Sequence, residues 1–134
     1  MGILNVTPDS FSDGGRFTDT NIAVDHAIKM IDDGAHIIDI GGESTRPGSV
    51  PVTESDECER ILPVIESIKK INNKITISVD TYKASVAKKA IETGADMVND
   101  ISGLTFDPDM ISLLSGKDIP VIIMHINGKP KTMQ

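Results

Sequence analysis

Short apolar runs alternate along the chain with longer stretches of helical spacing. The runs are Ile3 to Val6, His36 to Ile40, Ile75 to Val79, Met97 to Ile101 and Pro120 to Met124. They are rich in Ile and Val with little polar alternation, which is how parallel strands read when both faces are buried. Ala23, Ala27, Met30 and Ile31 predict a first helix, with Asp19 or Thr20 as N-cap and Gly34 as its stop. Ile61, Val64, Ile65 and Ile68 predict a second, led in by Thr53 and an acidic first turn. Pro63 lies inside that stripe and removes a backbone donor, so a kink or a late helix start is expected there. Val86, Ala87, Ala90 and Ile91 predict a third helix ending at Gly94, and a short fourth falls near Asp109 to Ser115.

An internal echo supports this scheme. Gly34-Ala35-His36-Ile37-Ile38-Asp39-Ile40 resembles Gly94-Ala95-Asp96-Met97-Val98-Asn99-Asp100-Ile101, each a helix stop, a tight turn and a strand ending in a polar residue. Such strand–helix–strand units cross over right-handedly and give a parallel sheet. Four units and a fifth strand could make a doubly wound sheet, whereas a (β/α)8 TIM barrel needs eight units and roughly 250 residues. With no helix following strand five, the α/β expectation is half a barrel: the first four βα units plus strand five, with 1–134 the N-terminal half of one barrel domain.

The strand ends sharpen the picture. Asn5, Asp39, Asp80, Asn99 and His125 each lie at or next to the C-terminal end of an apolar run. In parallel α/β folds those ends converge on the face that holds the active site. One such residue is ordinarily a turn-former or cap, and Asp39 could simply orient the loop after it. Five in five strands favour a functional rim. Two connections are long: Thr7 to Arg16, and Gly41 to Ser49. Each combines glycines, hydroxyls, an acid and an Arg, the composition of a lid that can hold a phosphate-like anion. Neither carries a P-loop or a dinucleotide fingerprint.

Composition narrows the options further. Hydrophobic residues are 39% and aromatics 3% with no Trp, so the core must be aliphatic. A formal net charge of −7 makes nucleic acid a poor partner. No apolar run approaches the roughly 20 residues of a membrane helix, and no signal peptide is visible. The lone Cys58, between two glutamates, cannot form an internal disulfide and reads as structural, with its thiolate disfavoured by its acidic neighbours. His26 reads as a surface residue, and His36 falls on the opposite face from the expected site.

Asn5-Val6-Thr7-Pro8-Asp9-Ser10-Phe11-Ser12-Asp13-Gly14-Gly15 resembles the first signature of dihydropteroate synthases, and Asp39-Ile40-Gly41-Gly42-Glu43-Ser44-Thr45-Arg46-Pro47-Gly48 resembles the second. Ile77-Ser78-Val79-Asp80-Thr81, Asn99-Asp100-Ile101, Met124-His125 and Pro130 to Gln134 are similar to the family's later motifs, in its order. The resemblance implies condensation of 6-hydroxymethyl-7,8-dihydropterin diphosphate with 4-aminobenzoate, with diphosphate leaving first to give a pterin cation. It implies catalytic roles for Asp80 and Asp13, and Asn99, Ile101 and Met124 around the pterin. It places Ser44, Thr45 and Arg46 near the diphosphate or aminobenzoate, Phe11 and Pro47 in the aminobenzoate wall, and Mg2+ at Asn5.

It further implies small-molecule substrates, a cytoplasmic homodimer, a sulfonamide target, and no nucleic-acid or membrane partner. Other site groups of the family lie beyond these motifs, so the isolated 134 residues are expected to turn over little or not at all. A methyltetrahydrofolate-binding methyltransferase barrel remains an alternative, because it shares the strand-end Asp and Asn. So does a non-catalytic partial barrel serving as a binding module.

Overall fold

The computed structural model describes residues 1–6, 15–43, 52–100, 102–115 and 119–123, the side chains of 15–19 excepted. The elements run β1 (Gly2–Asn5), α1 (Gly15–Asp32), β2 (Ile37–Gly41), α2 (Glu54–Ile71), β3 (Thr76–Asp80), α3 (Ala84–Thr93), β4 (Met97–Asp100), α4 (Asp109–Leu114) and β5 (Val121–Ile123). The strands form one parallel sheet in the order β1-β2-β3-β4-β5. Consecutive helices pack on one another, α1 on α2, α2 on α3 and α3 on α4. A doubly wound sheet reverses its strand order and splits its helices between two faces. Strict sequential order with one continuous helical layer is the singly wound arrangement of a barrel wall. The doubly wound alternative is therefore set aside.

Side-chain parity divides the sheet into two faces, because strand residues alternate sides and register partners share one. Leu4, Ile40, Val79 and Val98 form one register row, and all are buried beneath the helices. Ile38 and Ile77 form the row below. Against them α2 sets Cys58, Ile61, Val64, Ile65 and Ile68, all buried. The other face carries Ile3, Asp39, Ser78 and Met97 in one row and Asn5, Gly41, Asp80, Asn99 and Ile122 in the next. Burial on both faces holds for the central strands but not for β1, where Ile3 on the inner face is 63% exposed.

Local chemistry accounts for most helix ends. Thr53 caps α2 by accepting the Asp56 N–H at 3.1 Å, ahead of Glu54, Asp56 and Glu57 in the first turn. The echoed stops are one device: Gly34 and Gly94 have φ of 111° and 137°, and Ala35 and Ala95 donate back to Met30 and Ala90. Only a residue without Cβ adopts that backbone freely.

Two expectations are corrected. Helix α1 begins at Gly15, ahead of both proposed caps, Asp19 and Thr20. Helix α2 starts at Glu54 and continues through Pro63, so of the kink or late start expected there the late start does not occur. Its cap and its buried stripe outweigh the single bond that Pro63 cannot make. No described helix is long and apolar enough to cross a membrane.

Candidate active site at the strand ends

The inner row brings Asn5, Asp80 and Asn99 onto one level, with Gly41 between the first two. Neighbouring strands are about 4.8 Å apart, so Asn5 and Asp80, two strands apart, are separated by about 10 Å. Gly41 leaves this level open. A Cβ built there would lie 3.2 Å from Asp80 Cβ and 3.3 Å from its Oδ2. Gly41→Ala is thus expected to displace the Asp80 carboxyl by a few tenths of an ångström and weaken pterin binding about tenfold. Calorimetric titration of the variant with a pterin checks this.

One layer below, Asp39 is buried between β1 and β3, and Asn99 Nδ2 donates to its Oδ2 at 3.1 Å. Burial pushes the Asp39 carboxyl up, while the Ser78 hydroxyl, beside it but outside hydrogen-bonding geometry, and the Asn99 amide pull it back. Asp39 therefore does more than orient the following loop, because it sets the amide of Asn99. Asp39 Oδ1, Ser78 Oγ and Asn99 Oδ1 are buried with no hydrogen-bond partner among the described residues. Buried polar atoms are rarely left so. Three on one patch of the inner face make it a surface that wants hydrogen-bonding groups from a ligand or water.

The patch is also strongly negative. Asp80 is pushed up to about 7, first by burial and then by the charges of Asp39, Glu57, Asp100 and Glu43. A carboxyl held this far from its ordinary value marks a site built to receive positive charge or N–H donors. Asp100, buried on the helix-facing side of β4, organises the turn after it: Ser102 N and Oγ donate to its Oδ1 at 2.8 and 2.7 Å.

Behind the row, the connections after β2, β3 and β4 are tied together. Lys83 Nζ donates to Glu43 Oε1 at 2.8 Å and to Glu57 Oε1 at 2.6 Å. Tyr82 meets Phe106 edge to face, with centroids 5.4 Å apart, and Asp107 Oδ2 accepts the Ala84 N–H at 2.8 Å.

Of the residues singled out by sequence, Asn5, Asp80 and Asn99 are brought together. Asp13, Phe11, Ser44, Thr45, Arg46, Pro47, Ile101 and Met124 lie outside the described residues, as does His125. His26 and His36 are exposed, and His36 is on the opposite rim beside Asn72 and Lys74. Cys58 is buried, and burial is the leading reason its thiol is pushed up, ahead of the acidic neighbours. Sequence reasoning gave no role to Ser78, though it stands two residues before Asp80 and so shares its face. It also missed Lys83 and Glu57, for which no local signal exists.

Comparison with known proteins follows the same outline. The whole chain, residues 1–134, matches the family described as pterin binding enzyme. It is 52% identical over its full length to the dihydropteroate synthase of Synechocystis, of which it covers 46%. A crystal structure of the Clostridium difficile dihydropteroate synthase, determined in the presence of pteroic acid, superposes with a TM-score of 0.88 at 51% identity, covering 96% of this chain and 49% of that one. The Xanthomonas albilineans enzyme with 4-aminobenzoic acid superposes with a TM-score of 0.87 at 42% identity, covering 96% and 47%. The chain thus spans about half the length of the relatives it matches.

Proposed function

From the premise that this chain belongs to the pterin binding enzyme family, we propose that the complete protein condenses 6-hydroxymethyl-7,8-dihydropterin diphosphate with 4-aminobenzoate, giving 7,8-dihydropteroate and diphosphate. The observation that carries this reading is the inner row of Asn5, Asp80 and Asn99 over a layer of unpartnered acceptors. Relatives that bear the dihydropteroate synthase name, and their complexes with pteroic acid and 4-aminobenzoic acid, support the substrate class.

The chemistry follows from charge. When the C–O bond to diphosphate breaks, the electron pair leaves with the phosphate oxygen and the pterin methylene becomes cationic. The same carboxylates that push Asp80 up are relieved by that cation, so the site favours the transition state, in which the pterin methylene gains positive charge, over the ground state, in which it has none. The arylamine nitrogen then attacks the methylene and loses a proton. An arylamine attacking a cation scarcely needs a general base. Asn99, with both a donor and an acceptor, suits the edge of the aminopyrimidinone ring. Asp13, Ile101, Met124, Phe11, Ser44, Thr45, Arg46 and Pro47 complete the proposal in the roles their motifs imply.

No group of three or more His, Cys, Asp or Glu able to hold a metal exists among the described residues. Asn5 offers a magnesium ion one hard amide oxygen, exposed at the rim, and substrate diphosphate oxygens would supply others. When bound, magnesium would neutralise the departing diphosphate. The proposal extends to a cytoplasmic homodimer whose aminobenzoate pocket is the sulfonamide target. The lone Cys58 supports the reducing compartment.

The test is turnover of the complete protein with both substrates, followed by formation of dihydropteroate. Absence of turnover with pterin diphosphate, together with binding of methyltetrahydrofolate, would sink the reading. pH provides a finer check. Ligand N–H donors and the pterin cation prefer ionised Asp80, whose carboxyl stands at about 7. Pterin affinity is therefore expected to fall about tenfold between pH 8 and pH 6. Stability has the opposite slope. The folded chain holds this proton more tightly than the unfolded one, so stability is lost as pH rises through about 7. Titrations and melts across that range measure both.

A further inference from the structure

We infer that Asp39 is a positioning residue, which holds the Asn99 side-chain amide in one of its two orientations and so fixes the hydrogen-bonding sense in which the site reads a ring edge. The inference deepens the proposed function and rests on it for the identity of the ring.

The two ends of a side-chain amide have nearly the same shape, one accepting and one donating. Which end faces a ligand is therefore decided by what the other end meets. Asn99 is on β4, level with Asp80 on β3, yet its Nδ2 donates past that neighbour to Asp39 Oδ2 on β2 at 3.1 Å. The bond crosses β3 at the level of Ser78, the register partner of Asp39. Ser78 is fully buried and small, which leaves room for the crossing.

A carboxylate accepts and does not donate. Asp39 thus welcomes the NH2 end of Asn99 and rejects its oxygen, whose approach would set two acceptors against each other. Asp39 is 4% exposed, so bulk water does not soften that choice. Burial raises the Asp39 carboxyl, and the Asn99 amide counteracts the rise, which keeps the acceptor in its ionised form.

With one amide hydrogen committed, Asn99 Oδ1 is left buried with no partner among the described residues. Oδ1 and the second Nδ2 hydrogen are what remains for a ligand. On a pterin that pair matches the 2-amino N–H and the adjoining ring nitrogen. The opposite orientation matches the opposite edge, such as that of lumazine. There a carbonyl replaces the amino group and the adjoining nitrogen gains a hydrogen. The two rings have the same shape and are both uncharged, so steric fit does not separate them, whereas a fixed amide does.

The test uses the complete protein and calorimetric titration with 6-hydroxymethylpterin and 6-hydroxymethyllumazine. The ratio of the two dissociation constants is read, because the charge that Asp39 sets on Asp80 acts on both uncharged rings alike. Asp39→Asn can pair with Asn99 in either orientation. It also removes a charge that burial disfavours, so the fold should accept it. The preference for the pterin is expected to fall about tenfold or more, the cost of facing the wrong edge. In an Asn99→Leu background there is no amide to orient, so Asp39→Asn should then change the ratio by less than about twofold. A folded Asp39→Asn variant whose ratio stays within about threefold of wild type overturns the inference, and so does an equal loss of preference in both backgrounds. The side-chain amide proton resonances of Asn99, identified by their absence in Asn99→Leu, give a readout that needs no ligand. One of the two should lie downfield in wild type, held by the carboxylate, and return upfield in Asp39→Asn. Resonances unmoved by that substitution also overturn the inference. If the wild type binds neither ring, the functional reading falls, and these resonances alone decide whether Asp39 holds the amide.

Discussion

Asp80→Asn is expected to lower kcat by about 10²–10³-fold and at the same time to raise the melting temperature at pH 8. The two effects have one cause. Asp80 is crowded by burial and by Asp39, Glu57, Asp100 and Glu43, which together bring its carboxyl to about 7. Ionising it in the folded state is unfavourable, so a neutral isostere relieves the fold above that pH. Catalysis needs the opposite. The cation formed as diphosphate departs requires fixed negative charge at this point, and losing one preorganised electrostatic group costs about 2.7–4 kcal/mol of transition-state stabilisation. Gain of stability with loss of activity is the trade-off expected of a strained functional group. Steady-state kinetics and a thermal melt on the same preparation check it. Activity within fivefold of wild type would remove Asp80 from the mechanism.

The second large effect contrasts adjacent residues of β3. Ile77 faces the helices and is fully buried, whereas Ser78 faces the inner patch and its buried hydroxyl has no partner among the described residues. Ile77→Ala should destabilise the fold by about 2–5 kcal/mol, the sum of lost transfer energy and a cavity beneath α2. Ser78→Ala should change stability by no more than about 1 kcal/mol, because the hydroxyl it removes is buried without a well-formed hydrogen bond and only eases the charge of Asp39. The functional consequence reverses: Ser78→Ala should weaken pterin binding, since the atom it deletes belongs to the ligand-facing layer. Urea unfolding with an unchanged m-value, paired with pterin titration, separates the two faces. Equal destabilisation by both variants would contradict the parity assigned to β3.

What could be read along the chain was what local interactions decide. Ile- and Val-rich runs marked all five strands. The spacing of Ile61, Val64, Ile65 and Ile68 marked the buried stripe of α2, and Thr53, Gly34 and Gly94 marked helix ends, because caps and periodicities act over a few residues. The strand-end position of Asn5, Asp80 and Asn99 followed from the same local reading. Helix α1 began earlier than its caps suggested, and α2 began at its Thr53 cap rather than late at Pro63, with its buried stripe running on past the proline.

Tertiary structure alone decided the rest. It set the sequential strand order that favours a barrel wall, the pairing of Asn99 with Asp39, and the unpartnered inner layer. It buried Glu57, an ordinary first-turn glutamate by sequence, and brought Lys83 to it from 26 residues away. It moved Asp80 to about 7 by burying it among acids from other strands and loops. Desolvation and charge pairing depend on which groups come within a few ångströms in space, and strand pairing, not chain spacing, determines that.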